Sequence, residues 1–200
     1  DRVKTWVLLA SYFDATQMHD KLMKDLATKL GLAYTASCNW VNLYYDGEYR
    51  GVYLLSEKNS VGAASVAITD MEEAYKAQNP SYGDNMSTAL SQNVYGQQFQ
   101  YTKGLQEPAN ITGGYLIELN HNMWDEASGF KTRQGVAFNV KSPEWCGEAA
   151  MRYISEYYQD FEDAVYATDK TGAYTGYNAS TGKYFYDYVD MDSLVKIFLL

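Results

Sequence analysis

The chain has 200 residues, 46% hydrophobic and 20% charged, with a formal net charge of −9. That length supports a domain with a sizeable core, and the apolar fraction is that of an ordinary globular protein. The acidic balance without a basic stripe excludes a nucleic-acid binder, and no run reaches the roughly 18 apolar residues of a membrane-spanning helix.

Residues 3–10 (VKTWVLLA) are apolar and β-prone, which predicts a buried strand. A helix follows. Asp14 or Thr16 can cap it, Met18, Leu22, Leu26 and Leu30 recur every four residues as its apolar stripe, and Gly31 supplies the stop. Lys21, Lys24, Asp25 and Lys29 fall outside the stripe and are assigned to a solvated face. Residues 40–45 and 49–55 alternate as half-buried strands, and Asp46-Gly47 between them is the signature of a type I′ hairpin turn. Glu57 and Lys58 stand at the exit of that hairpin.

Residues 59–112 are rich in Ser, Gly, Asn, Gln and Ala, and read as a long connection or insertion with a short helix over 71–78. Order returns at Gly113-Gly114, read as a strand entry. YLIELN (115–120) is a core strand carrying Glu118, and VAFNV (136–140) is another that delivers Lys141. Ser142-Pro143-Glu144 predicts a helix start, continued by Met151, Ile154, Tyr158, Phe161 and Val165. Residues 168–183 read as loop. Asp190 then caps a last amphipathic helix, which reaches Leu200 without a stop signal, so the natural chain is expected to continue.

Cys38 and Cys146 leave one disulfide or two free thiols open. With His19 and His121 as the only histidines, no zinc-ligand spacing exists and no metal ligands are assigned. Asn-x-Ser/Thr sequons stand at Asn85, Asn110 and Asn178. The 20 tyrosines fit strand faces, and equally a secreted protein that handles glycans. GxSxG, Walker A and GxGxxG motifs are absent. The chemistry left is therefore the set of charges at strand ends. Glu118 inside an apolar strand should need a cation, which Lys58 or Lys141 could supply, unless it faces solvent. Glu57 and Glu118 as a glycosidase pair is a further reading, with nothing to set their separation.

In order along the chain, WVLLASYFDATQMHDKLMKDLATKLG (6–31), VNLYYDGEYRGVYLLSEK (41–58), GGYLIELN (113–120), FKTRQGVAFNVKSPE (130–144) and DMDSLVKIFLL (190–200) resemble the spore coat protein H family, the CotH-type atypical kinases. The hairpin is the most specific of these pieces. Two departures stand out: His19 where the family often has Arg, and Asn120 where its strand usually ends in Asp. The resemblance implies an α+β, atypical protein-kinase-like fold, a mostly antiparallel sheet with packed helices. Residues 1–200 would form the N-terminal portion of one domain, with 59–112 as an insertion and 142–200 opening a helical lobe.

The resemblance further implies ATP with Mg, and transfer of phosphate to protein hydroxyls. Glu57, Lys58, Glu118 and Lys141 would be nucleotide-binding, with the choice between the lysines open. The family's catalytic Asp and Asn and its Trp-Asp-x-Asp metal motif would lie beyond Leu200, so the piece is expected to be inactive alone. Trp124-Asp125 comes too early to be that motif. The expected location is secreted or cell-surface in a bacterium, and the expected partner is a protein substrate or a surface assembly. The rival is a non-catalytic surface or scaffold module of the same fold, associated with glycan-degrading systems.

Overall fold

The computed structural model describes residues 5–82, 93–95 and 99–200. The sequon at Asn85 lies outside them. In chain order the elements are β1 (Trp6–Leu9), α1 (His19–Lys29), β2 (Cys38–Tyr45), β3 (Glu48–Glu57), α2 (Met71–Gln78), β4 (Asn93–Tyr95), β5 (Phe99–Thr102), β6 (Leu116–Asn120), β7 (Gly129–Lys131), β8 (Ala137–Ser142), α3 (Glu148–Tyr166), β9 (Tyr177–Asn178), β10 (Lys183–Tyr184) and α4 (Met191–Phe198). The fold is α+β, and every pairing between these strands is antiparallel. The elements form two compact units: Asp1–Ala67 with Asp190–Leu200, and Ile68–Val189.

The first unit is a three-stranded sheet in the order β1-β3-β2, with α1 and α4. The hairpin forms where Asp46-Gly47 predicts it. Asp46 has φ 50° and Gly47 φ 81°, the positive pair a type I′ turn requires. Asp14 holds the start of α1, accepting from the backbone N–H of His19 at 2.9 Å.

The face of α1 is a correction. Leu22 is 57% exposed and Leu26 is 37% exposed, while Ala27 is buried. Lys21 and Lys24, read as solvated, point inward. Lys24 Nζ donates to Ser56 Oγ of β3 at 2.6 Å, and Lys21 Nζ lies 5.8 Å from the ring centroid of Trp40 on β2. Their methylene stems cover the sheet while the ammonium groups reach polar or aromatic partners.

The second unit is built on a five-stranded sheet in the order β4-β5-β7-β8-β6. Alternation along β8 turns Val140 and Phe138 to one face, where they pack with Phe130, Trp145, Cys146 and the α3 residues Ala150, Met151 and Ile154. Phe130 stacks on Phe138 at 4.9 Å between centroids, and Tyr158 packs tilted against both at 5.2 and 4.7 Å. The described residues of 59–112 include regular elements that their composition does not suggest. Asp70 caps α2 by accepting from Glu73 N at 3.0 Å, and β5 pairs with β7 inside the sheet.

Within residues 142–200, α3 packs on the sheet of the second unit and α4 belongs to the first unit. α3 also starts later than Ser142-Pro143-Glu144 predicts. Ser142 still pairs with Leu116, the Ser142–Pro143 peptide is cis, and Gly147 is the N-cap. Cys38 and Cys146 are free thiols.

Candidate functional site

β8 and β6 bring together the two charges that the sequence singles out in the second unit. Glu118 on β6 lies opposite Asn139 on β8, and Lys141 follows two residues along the same face. This is the face away from α3, and the loop 121–128 covers part of it. Gln100 Nε2 donates to the carbonyls of Met123 and Glu126, each at 2.6 Å, and Asn139 Nδ2 donates to the carbonyl of Asn122 at 3.3 Å. Gly129 lets the loop return closely: a Cβ there would lie 2.2 Å from the Met123 carbonyl. The loop is thereby fixed with Glu126 against Lys141.

Lys141 Nζ makes its closest ion pair with Glu126 Oε1, and Glu118 Oε2 is 3.7 Å away. The hydrogen bond to Glu126 is the main cause that raises the Lys141 pKa and keeps it charged. Burial, followed by the charges of Glu72 and Glu126, raises the Glu144 carboxyl beside them. Glu118 is 52% exposed, so it faces solvent and leans on Lys141 rather than lying buried in the strand. Glu126 is the partner that sequence reasoning missed. It sits in an irregular loop 15 residues from Lys141, and no periodicity links the two.

Asp125, beside Glu126, is held by Asn120 Nδ2 and Asn122 Nδ2, each at 3.0 Å. An Asp at position 120 would set two carboxylates against each other here, so the departure at Asn120 is matched by its neighbour.

Glu57 and Lys58 belong to the first unit and do not pair with each other. Glu57 Oε2 accepts from the Ser37 backbone N–H at 3.1 Å, and Lys58 uses its own N–H to bind the Thr5 carbonyl at 3.1 Å. The Lys58 side chain is exposed and makes no ion pair among the described residues. Of the four sequence candidates, then, the fold joins Glu118 to Lys141 and ties Glu57 to the backbone. A cleft of about 620 Å³ in the second unit is lined by Tyr101, Lys103, Glu107, Glu148, Arg152 and Tyr153, and neither Glu118 nor Lys141 borders it.

Compared with known protein families, residues 2–198 match the family described as CotH kinase protein. The chain belongs to the CotH kinase family. Comparison with curated proteins and with solved structures returns no match. The CotH match runs through both compact units, so the sheet of α1 and the sheet of α3 are both CotH kinase elements.

Proposed function

We propose that the chain is part of a protein kinase that moves phosphate from ATP to protein hydroxyls, with Lys141 as a phosphate-side cation. The observation that carries this reading is the CotH kinase match over residues 2–198. The Lys141 site supports it. Kinases hold a lysine in an ion pair with a carboxylate so that the ammonium stays charged and aimed at phosphate oxygens. Lys141 is so held by Glu126, and at 39% exposure it remains reachable. Among the described residues Lys58 has no orienting carboxylate, which favours Lys141 of the two.

The donor set suits the nucleotide better than the metal. Among the described residues, no three His, Cys, Asp or Glu side chains are grouped to hold an ion, so no metal-assisted step is assigned to them. The chemistry this chain supplies is charge: Lys141 would bind and orient phosphate oxygens, and Glu126 would hold the ammonium in place.

Calorimetric titration of Mg-ATP into the chain and into Lys141→Met tests the reading. Binding weakened about tenfold or more in the variant, the scale of one lost charged hydrogen bond, is the expected result. Equal binding by both, or binding by neither while both stay folded, would remove Lys141 from the nucleotide site. The second outcome would favour a non-catalytic surface module that keeps the fold.

A further inference from the structure

Two sequons fall among the described residues, and the fold treats them in opposite ways. Asn110-Ile111-Thr112 is a surface turn with Asn110 exposed. Its Oδ1 accepts from the Thr112 backbone N–H at 2.9 Å and from Thr112 Oγ1 at 2.7 Å. No hydrogen bond engages Asn110 Nδ2 among the described residues. The rest of the turn is anchored. Tyr115 Oη donates to the Ile111 carbonyl at 2.7 Å, and Tyr153 Oη to the Thr112 carbonyl at 3.3 Å. Asn178-Ala179-Ser180 is the reverse case. Asn178 is 5% exposed, its Nδ2 donates to the Asp160 carbonyl of α3 at 3.0 Å, and its Oδ1 accepts from Ser180 N.

We infer that Asn110 is an acceptor site for an N-linked glycan in the folded chain, and that Asn178 is not. The modification needs Nδ2 as nucleophile. A new bond joins Nδ2 to C1 of a sugar, the C1–O bond to a polyprenyl diphosphate breaks, the diphosphate lipid leaves, and one Nδ2 proton passes to a base of the transferase. At Asn110 both donors of the Thr112 residue sit on Oδ1. They draw electron density from the amide, make the Nδ2 proton easier to lose, and leave the nitrogen facing solvent. At Asn178 the same nitrogen is spent on Asp160, and the close packing against α3 leaves no path for a sugar. A glycan on Asn110 would project from a turn fixed by two tyrosine hydroxyls and would displace no hydrogen bond. A glycan on Asn178 would have to unseat β9.

The test uses the chain made folded in a host without glycosylation. It is incubated with an oligosaccharyl transferase and a polyprenyl-diphosphate oligosaccharide, and occupancy is read site by site by peptide mass spectrometry. Synthetic peptides spanning residues 105–117 and 173–185 serve as unfolded controls. In the folded chain Asn110 should be occupied about tenfold or more over Asn178, the factor that one buried hydrogen bond carries. The two peptides should lie much closer together, and Thr112→Ala should abolish occupancy of Asn110. Absence of glycan on Asn110 in the folded chain overturns the inference, whatever the peptides do. So does a folded chain in which Asn178 is occupied as fully as Asn110.

Discussion

Glu107 and Tyr75 share one hydrogen bond, and together they close the N-terminus of α3. Glu107 Oε1 accepts from the Ala149 N–H at 2.8 Å, Oε2 accepts from the Tyr75 hydroxyl, and that hydroxyl in turn accepts from Gly147 N at 3.0 Å. The N-cap Gly147 has no side chain to do this, so a carboxylate from a distant loop meets the positive end of the helix. Glu107→Ala should cost about 2–4 kcal/mol, because it strands a buried hydroxyl as well as two helix N–H groups. Tyr75→Phe should cost about 1–2 kcal/mol, since Glu107 still serves the helix. Urea unfolding followed by fluorescence of Trp145 reads both. An alanine variant within about 0.5 kcal/mol of the parent would show that water caps the helix equally well.

That cap also shows where the sequence stops being legible. Glu107 lies 42 residues before Ala149, and a local reading puts the cap at Ser142-Pro143-Glu144. Signals confined to a few residues did carry through: the Asp46-Gly47 turn, Asp14 before α1, the short helix over 71–78 and Asp190 before α4. Signals that depend on the opposing surface did not. The Leu22 and Leu26 stripe is a sound helical period, but the sheet beneath α1 offers Ser56 and Trp40, which suit lysine stems and ammonium groups. In the site, Lys141 was legible as a strand-end charge, while its closest partner was not, because a loop delivers Glu126 through backbone contacts to Gln100.

The two thiols should differ sharply in reactivity. Cys146 is fully buried, and burial pushes its pKa up to about 12 from an ordinary 9.0. Cys38 is half-buried. At pH 8 a thiol reagent should label one cysteine in the folded chain and two in denaturant, and Cys38→Ser should leave the folded chain unlabelled. Rapid native labelling of Cys146 would contradict the packing around it. The raised pKa sets a sign for alkaline stability too. The unfolded thiol ionises near 9 and the folded one near 12, so the contribution is intact below pH 9 and is lost as pH rises towards 12.

Asp14 should titrate far below an ordinary aspartate. The Thr16 hydroxyl at 2.7 Å, then the His19 N–H at 2.9 Å, hold its pKa at about 2 against the usual 3.8. A lowered pKa stabilises the fold above the unfolded value, so this contribution is present above pH 4 and fades between pH 4 and 2. An NMR titration of the Asp14 carboxyl carbon should find its midpoint near the lower value, and Thr16→Val should move it upward. A midpoint near 3.8 in the parent chain would mean that the turn does not hold in solution.

Glu126 and Glu118 should couple unequally to Lys141. Glu126 is in direct contact and 28% exposed, whereas Glu118 stands at 3.7 Å and is 52% exposed. Lys141 is more than a third exposed, so both pairs are screened by solvent. Double-mutant cycles should give about 0.5–1 kcal/mol for Lys141 with Glu126 and under about 0.3 kcal/mol with Glu118. Both should shrink in 0.5 M salt. Equal couplings would mean that the loop 121–128 does not hold Glu126 in place.

Lys24 and Ser56 are a test of what a lysine does under a helix. The ammonium donates to a hydroxyl that is 1% exposed, and it makes no ion pair among the described residues. Removing the hydroxyl leaves a charge facing apolar surface, so Ser56→Ala should cost about 1–2 kcal/mol. Removing the charge is different, because methionine keeps most of the stem that packs on the sheet. Lys24→Met should fall within about 0.5 kcal/mol of the parent, and the double variant should recover most of what Ser56→Ala loses. Urea unfolding followed by fluorescence of Trp40 in the first unit reads all three. If Lys24→Met alone costs more than about 2 kcal/mol, the ammonium itself holds α1 on its sheet, and the inward lysine is a structural anchor rather than a tolerated charge.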